Sequence, residues 1–367
     1  MFPDGEALIY SYLNTHEVLK LQQELKTPFS LTMYNHTLNT KHLTSLEITK
    51  LLAHPWRTII LYHCIILPSM PYPQLTTLEI FHKSSIDLKP LQYCTKLQYL
   101  NLMYTKVTNL EPVQYCTQLR VLNLMRTKVI NLKPLQYCTK LRVLNLMDTK
   151  VTNLEPIQYC IQLQILNLRY TKVTNLEPLK TCIQLRILKL GSTNVLDLGP
   201  LRCCTKLQYL NLNHTNMWTI NPKYICPLAY CTELQTLDLH GTNVSDLTPL
   251  KSMQLTNLYL RGTKVTTLEP LNGMQLTNLD LHGTNVSDLT PLKGMPLTNL
   301  DLRHTKVSNI EPLKGMRLIT LDLSYTNVRD VKPLHYCARL QNLDLRHTKV
   351  TDFSPTQHVK IVKTNQL

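Results

Sequence analysis

Residues 97–118 read LQYLNLMYTKVTNLEPVQYCTQ, and residues 119–140 read LRVLNLMRTKVINLKPLQYCTK. The second stretch is nearly the first again, and the pattern continues almost to the end of the chain. Its units begin at Leu75, Leu97, Leu119, Leu141, Leu163, Leu185, Leu207, Leu234, Leu255, Leu276, Leu297, Leu318 and Leu340. They are spaced by 22 residues up to Leu207, then by 27 once, by 21 four times and by 22 again. A fixed period predicts one elongated body with a continuous core rather than several separate domains.

The chemistry of the unit predicts its local structure. In LNL and LDL, leucines alternate with polar residues, which is the period of a strand with one buried face. A short strand cannot bury its leucines alone, so each unit must pair with the next in a parallel sheet. Pro112 and its equivalents suit the first turn of a short helical segment, where a missing N–H costs little. Thr105 and its equivalents can bond the backbone where the chain leaves the strand.

The consensus LxxLxLxxTxVxxLxPLxxC resembles the leucine-rich repeat, close to the short internalin-like type, over residues 75–355. The resemblance implies an α/β repeat solenoid: a curved, right-handed superhelix with a parallel sheet inside and short 3-10 segments on the convex side. Residues 31–74 are then degenerate first repeats, one of them starting at Leu43. Residues 356–367 form a C-terminal cap that closes the last unit. The excess residues near 219–227 mark the seam between two duplicated arrays.

One column of the repeat holds eight of the eleven cysteines, at Cys94, Cys116, Cys138, Cys160, Cys182, Cys204, Cys231 and Cys337. Methionine replaces cysteine in this column at Met253, Met274, Met295 and Met316. A metal ligand or disulfide would not tolerate that exchange, whereas a small apolar packing site would. We therefore expect buried structural thiols, no metal and no cofactor. The sequence also has no Gly-rich phosphate-binding motif.

The non-leucine positions of the strands are expected to face solvent on the concave side, where a large protein partner would bind. Met103, Met125 and Met147 form an apolar stripe there, beside an asparagine column and several tyrosines. Aspartates, histidines and arginines occupy the same columns in the second half of the chain. The predicted protein-binding residues are Tyr99, Asn101, Met103, Tyr104, Asn123, Met125, Arg126, Asn145, Met147, Arg169, Tyr170, Asp280, His282, Asp301 and Arg303.

Two other interpretations of these columns stay open. The polar columns could simply solvate a sheet, with their uniformity left by recent duplication. The pairs Asp238/His240 and Asp280/His282 invite a metal or acid–base site, but Arg261 lies between them and would repel a cation, so a charge lattice between strands is the favoured interpretation.

The N-terminal stretch FPDGEALIYSYLNTHEVLKLQQEL contains a capping-box pattern, Asn14 followed by Glu17, between two amphipathic segments. These segments predict a helical cap over residues 1–30. The stretch also resembles the opening of an F-box, although no typical third-helix ending follows it. The resemblance implies binding to the Skp-type adaptor of a cullin ubiquitin ligase through Pro3, Leu8, Ile9, Tyr12, Leu13, Val18, Leu19 and Leu21.

Three functional hypotheses follow. The first is an F-box-type substrate receptor that holds its target on the concave repeat face. The second is a stand-alone repeat protein that binds another protein and has no ubiquitin role. The third, less favoured because lysines and acids interleave, is a binder of acidic partners or nucleic acid, suggested by the net charge of +15. No nucleophile–base constellation indicates an enzyme. The chain lacks a secretory signal and an apolar run of membrane-spanning length, so a cytoplasmic, reducing location is expected.

Overall fold

The computed structural model describes residues 37–39, 57–61, 72–81, 85–215, 222–251 and 253–364. The chain divides into two compact units, Met1–Thr37 and Leu38–Leu367, and the described residues from 57 onward belong to the second. The eight residues of the F-box-like stretch and the degenerate unit at Leu43 lie outside the described residues. Both therefore stay predictions.

The second unit is built on a single parallel sheet in which the strands follow one another in chain order. Its sixteen strands are β1 (Thr37–Asn39), β2 (Thr58–Leu61), β3 (Thr77–Ile80), β4 (Tyr99–Asn101), β5 (Val121–Asn123), β6 (Val143–Asn145), β7 (Ile165–Asn167), β8 (Ile187–Lys189), β9 (Tyr209–Asn211), β10 (Thr236–Asp238), β11 (Asn257–Tyr259), β12 (Asn278–Asp280), β13 (Asn299–Asp301), β14 (Thr320–Asp322), β15 (Asn342–Asp344) and β16 (Ile361–Lys363). From β3 to β15 the pairing keeps equivalent positions of successive units side by side. This is the predicted curved solenoid.

Short 3-10 helices return the chain on the other side of each unit, from β3 onward. They span Lys89–Tyr93, Glu111–Tyr115, Lys133–Tyr137, Glu155–Tyr159, Glu177–Thr181, Gly199–Cys203, Pro222–Tyr230, Thr248–Leu250, Glu269–Leu271, Thr290–Leu292, Glu311–Leu313, Lys332–Tyr336 and Ser354–Thr356. The repeated proline lies in the first turn, for example at Pro112, as the pattern predicted. In most units an asparagine or aspartate two residues before the first helix residue accepts the N–H of that residue. In one unit, Asn109 Oδ1 accepts the Glu111 N–H at 2.8 Å.

The core runs without a break through the stacked units. Leu97, Leu100 and Leu102 of one unit are fully buried, and so are their equivalents in the following units. The threonine that recurs in each unit closes the strand end, because the Thr105 hydroxyl donates to the Leu102 carbonyl oxygen at 2.7 Å. The same bond recurs at Thr284, where the hydroxyl donates to the Leu281 carbonyl at 2.7 Å. The repeated hydroxyl thus adds a second hydrogen bond to a carbonyl that already accepts the threonine backbone N–H, at 3.2 Å for Thr105 and Leu102.

The cysteine column lies inside this core, as its exchange with methionine predicted. All eight cysteines of the column are buried and none is in a disulfide. Several donate across the unit boundary; the Cys160 thiol, for example, lies 3.6 Å from the Leu135 carbonyl oxygen. Burial raises the pKa of the Cys94, Cys138 and Cys160 thiols to about 12. These neutral thiols are packing groups.

Two irregular regions interrupt the period. The long unit between Leu207 and Leu234 contains the nine-residue 3-10 helix Pro222–Tyr230, with Pro227 inside it. At the C-terminal end, β16 adds to the sheet parallel to β15, with Val362 opposite Leu343. Here Val359 is buried and Val362 packs against the core, so this segment covers the last unit.

Candidate functional site

On the concave side, most strands end in an asparagine or aspartate whose side-chain oxygen accepts the backbone N–H two residues later. The Asn123 Oδ1 atom accepts the Met125 backbone N–H at 3.1 Å, and Asp301 Oδ1 accepts the Arg303 N–H at 3.0 Å. Asn101, Asn145, Asn167, Asp238, Asp280, Asp322 and Asp344 make the same bond. Only one side-chain oxygen is needed, and both residue types supply it. Asparagine and aspartate therefore exchange in this column without changing the backbone.

Six residues on or just after β4 to β6 were predicted to be exposed to solvent on this face, and that prediction is wrong. Tyr99, Asn101, Met103, Asn123, Met125 and Asn145 are all buried, with Met103 only 8% and Met125 only 5% exposed. Met147 is half-buried. Parallel in-register strands place each side chain against its equivalent one strand away, and the columns cover one another. The Asn123 Nδ2 atom lies 3.7 Å from the Met103 sulfur, for example.

A second apolar column lies beside the asparagines, and the sequence analysis identified only its first member, Tyr99. It consists of the side chains in the first position of β4 to β9, which are Tyr99, Val121, Val143, Ile165, Ile187 and Tyr209. Their equivalents in β10 to β13 are Thr236, Asn257, Asn278 and Asn299. The period-2 alternation predicted that these positions point away from the leucines. A comparison of this position from unit to unit in the sequence shows the change from apolar to polar residues between Tyr209 and Thr236.

The most accessible predicted residues are Tyr104, Arg126 and Tyr170, and all three lie where the chain leaves a strand. Their φ angles are 62°, 54° and 58°, in the left-handed region. We call the whole column the left-handed row; it consists of Tyr104, Arg126, Asp148, Tyr170, Ser192, His214, Gly241, Gly262, Gly283, His304, Tyr325 and His347. Glycines in three consecutive units were the sequence signal for this backbone, and most members were missed as site candidates.

Side chains in the left-handed row interact along the solenoid. The His304 and Tyr325 rings stack at 4.2 Å between centroids, and the Tyr325 and His347 rings at 4.1 Å. In the first half, the Arg126 guanidinium lies 5.5 Å from the centre of the Tyr104 ring and 3.1 Å from Asp148. A left-handed non-glycine residue costs of order 1 kcal/mol, and nine such residues are kept here. The row displays large side chains at a conformational cost.

Near the middle of the concave face, a glycine makes room for neighbouring amide side chains. A Cβ atom at Gly191 would collide with the amide oxygens of Asn213 and Asn211, so a larger residue there would require those two side chains to move. The Nε atom of Arg169 and the Oδ1 atoms of Asn211 and Asn213 are buried without a hydrogen-bond partner. Such groups are rare in folded proteins because each costs about 1–3 kcal/mol. They mark a place where a bound partner could supply hydrogen bonds.

In the second half the face is charged. Arg303 bonds Asp301 at 2.6 Å and Asp322 of the next strand at 3.3 Å. Burial raises the pKa of Asp280, with the charge of Asp301 acting in the same direction. Burial and then the charges of Arg261 and Arg303 lower the pKa of His282. The structure therefore brings Asp280, His282, Asp301 and Arg303 into one charge lattice between strands.

No group of three or more histidine, cysteine or acidic side chains that could hold a metal ion occurs among the described residues. None of the helices in this described part of the chain is long and apolar enough to span a bilayer.

Comparison with solved structures supports this geometry. An internalin from Listeria monocytogenes is similar, with a TM-score of 0.71 and 26% sequence identity over 77% of this chain and 84% of the internalin. This chain has the leucine-rich repeat fold. A leucine-rich repeat protein from Leptospira interrogans shows the same fold, with a TM-score of 0.71 and 22% identity over 87% of this chain and 86% of that protein.

A third similar structure is the leucine-rich repeat ectodomain of a plant membrane receptor kinase from Arabidopsis thaliana. It was crystallised in complex with CASPARIAN STRIP INTEGRITY FACTOR 2. Its TM-score is 0.58 and its identity 16%, over 87% of this chain and 44% of that chain. No protein-family model matches this chain, and no curated protein sequence does either. The structural neighbours support a protein-binding scaffold.

Proposed function

We propose that this repeat protein is a non-enzymatic scaffold that captures one protein partner along its concave face. The observation that carries the proposal is the in-register sheet. It removes the leucines from one side and aligns all remaining strand side chains into continuous columns. Thirteen strands about 4.8 Å apart make a surface roughly 60 Å long. A surface of this length suits a protein chain better than a small molecule.

The burial pattern refines which residues contact the partner. Tyr104, Arg126 and Tyr170 are exposed and project from the left-handed row, so they reach a partner first. The buried Met103 and Met125 then form the floor beneath them. Arg169 adds an unsatisfied donor near the middle of the face. In the second half, Asp280, Asp301 and Arg303 offer charge pairing that sets orientation more than affinity, and His282, whose pKa is lowered, adds a neutral hydrogen-bonding group.

Site-specific photo-cross-linking tests the proposed face. A benzoylphenylalanine at Tyr104, Tyr170 or Tyr325 is expected to capture the same cellular protein from all three positions. The matched control is the same amino acid at Tyr336, which is 56% exposed on a 3-10 helix on the opposite side. Equal capture of that protein from Tyr336, or three unrelated proteins from the three concave positions, would contradict the proposal.

A more specific function rests on the N-terminal sequence alone. We propose that residues 2–25 act as an F-box-type docking segment, so that the scaffold delivers its captured protein to a cullin ubiquitin ligase. The support is the proline near the start and the apolar pattern of IYSYLNTHEVLKL, which resembles that family. Such a segment works by raising the effective concentration of one protein near another. The alternative is a plain helical cap on a stand-alone binding protein.

Adaptor binding separates these alternatives. The purified chain should retain a Skp-type adaptor in a pull-down, and Leu13→Asp with Leu21→Asp should abolish retention. Leu8→Ile serves as a control that keeps the apolar surface. If the unmodified chain does not retain the adaptor but still captures its partner on the concave face, the F-box proposal is wrong. The hypothesis of a stand-alone binding protein then remains.

A further inference from the structure

Four tyrosines form an exposed column on the side of the solenoid opposite the sheet. Tyr93, Tyr115, Tyr137 and Tyr159 each end a five-residue 3-10 helix in successive units. They are 46%, 48%, 50% and 49% exposed, in contrast to the buried methionines of the concave face. The equivalent positions in the next two units are Thr181 and Cys203. The uninterrupted aromatic column therefore covers four units, and within the described residues an exposed tyrosine returns at this position at Tyr230 and Tyr336. Contiguous exposed apolar side chains are typical of interaction surfaces.

A charged column runs beside the tyrosines. The first residues of the same four helices are Lys89, Glu111, Lys133 and Glu155, all exposed. No salt bridge involves any of these four within the described residues. In comparable positions Glu177 pairs with Lys180 at 2.5 Å and Glu311 with Lys314 at 3.5 Å. The alternating signs of the four unpaired residues therefore do not serve ion pairs within the chain.

Along the four units the charges run Lys, Glu, Lys, Glu. When a second copy lies in the reverse direction, every lysine of one copy therefore faces a glutamate of the other. We infer that two copies of the chain associate antiparallel through these four units, around a two-fold axis that passes between the helices Glu111–Tyr115 and Lys133–Tyr137. Around that axis Lys89 faces Glu155 of the second copy, and Glu111 faces Lys133. In an isologous interface each contact occurs twice. Four opposite-charge pairs thus form, with none between like charges.

The neighbouring columns of the same four units fit this arrangement. Tyr93 faces Tyr159 and Tyr115 faces Tyr137, which allows the rings to pack across the interface. The fourth helix positions are all glutamines, Gln92, Gln114, Gln136 and Gln158, and amides can hydrogen-bond to one another. A third column, just after the helices, alternates Lys96, Gln118, Lys140 and Gln162. Within one chain Lys140 bonds Gln118 at 2.6 Å and Lys96 bonds Gln74 at 2.9 Å, and in the dimer each lysine would exchange that partner for a glutamine of the second copy. A parallel arrangement or a shift by one unit would oppose like charges.

Such a dimer goes beyond the proposed capture function. Because the contact lies on the 3-10 side, both concave faces stay open. Each dimer would then present two binding surfaces and gain avidity for a partner with two copies of the recognised segment. The second array does not extend the patch. Its helices from Thr248–Leu250 to Glu311–Leu313 have three residues each and end in leucine.

Charge exchange tests the inference with the full chain. Sedimentation velocity from about 1 µM to about 200 µM should show a reversible dimer, because a small interface reaches micromolar affinity. Glu111→Lys should raise the dissociation constant at least tenfold, since symmetry turns two attractive pairs into two lysine–lysine pairs. Lys133→Glu should weaken the dimer equally. The double variant restores both pairs in reverse and should return to within about threefold of the unmodified chain.

Glu269→Lys is the matched control, because Glu269 is exposed and begins a 3-10 helix outside the patch. It should leave the dissociation constant unchanged. A photo-cross-linker at Tyr115 should in addition join to the peptide of a second copy that contains Tyr137. A chain that stays monomeric throughout, a dimer that Glu111→Lys does not weaken, or a double variant that fails to recover would each overturn the inference.

Discussion

The strands β3 to β9, which we call the first array, and β10 to β15, the second array, have the same backbone but different chemistry. The first array places valine, isoleucine, methionine and asparagine on its concave side and cysteine in its core column. The second places asparagine, aspartate, histidine and arginine on the concave side and mostly methionine in that core column. The difference shows that the fold requires leucine, threonine and proline at their set positions in the repeat. At the other positions the residue type can change over several consecutive units without altering the backbone.

High pH should produce the largest difference between the arrays. Cys94, Cys138, Cys160 and Cys204 have pKa values raised by burial to about 12 from an ordinary value of 9.0. Their contribution to stability is complete below pH about 9. It is lost as pH rises towards about 12, because only the unfolded chain releases these protons there. Each thiol costs about 1.4 kcal/mol per pH unit in that range.

Hydrogen exchange, corrected for intrinsic rates, measures this loss separately for each array. Between pH 8 and pH 10.5 the first array should lose several kcal/mol of protection, and the second array much less, because methionine does not titrate. Equal losses in both arrays would show that the thiol column does not control the effect. Thiol reagents provide a second measurement: exposed Cys226 should react well before the buried column.

The asparagine column should respond next. Asn145→Ala leaves the half-buried Met147 N–H without its side-chain acceptor, which should lower the free energy of unfolding by about 1–2 kcal/mol. Asn145→Asp keeps the acceptor, as the second array does, and should cost less than half as much. Denaturant unfolding measures both values. If the aspartate variant were the weaker one, the two residue types would not be interchangeable.

Backbone conformation in the left-handed row provides a smaller test. Gly262 has a φ of +66°, and a Cβ added there would meet nothing within 4 Å. Gly262→Ala should therefore cost about 1 kcal/mol, purely from the left-handed conformation. Arg126→Gly relieves the same strain but removes the contacts with Tyr104 and Asp148, so its net effect should be near zero. Thermal unfolding compares the two, and an alanine variant as stable as the parent would exclude the strain.

Mild acid should have the smallest effect and act on the second array. Burial lowers the pKa of His240 and His282 below 6.5. The unfolded chain binds these protons first, so stability falls as pH drops below 6.5. Burial also raises the pKa of Asp238, Asp280 and Asp322, and their protonation at still lower pH acts in the opposite direction.

Exchange protection of the second array should therefore decline slightly just below pH 6.5 and then level off. The double variant His240→Asn with His282→Asn should remove the decline while leaving the first array unchanged. A decline that persisted in this variant would assign it to other groups.

Several residues show how far the sequence alone determined the molecule. Leu100, Thr105, Pro112 and Cys116 occupy the positions that periodicity, capping chemistry and residue exchange predicted. These are local rules: an alternating strand must bury one side, and a hydroxyl or proline acts on backbone atoms a few residues away. The curved parallel solenoid follows from them because no unit can bury its leucines alone.

Only the tertiary structure decided which outward side chains remain accessible. Met103 and Met125 alternate with leucines as exposed residues would, yet side chains about one strand spacing away cover them. Tyr104 and Tyr115 are accessible because they lie outside the strands, where neighbouring strands do not cover them. Tyr104 is at a left-handed turn, and Tyr115 is at the end of a 3-10 helix. A sequence pattern states which way a side chain points; lateral packing between units determines whether a partner can reach it.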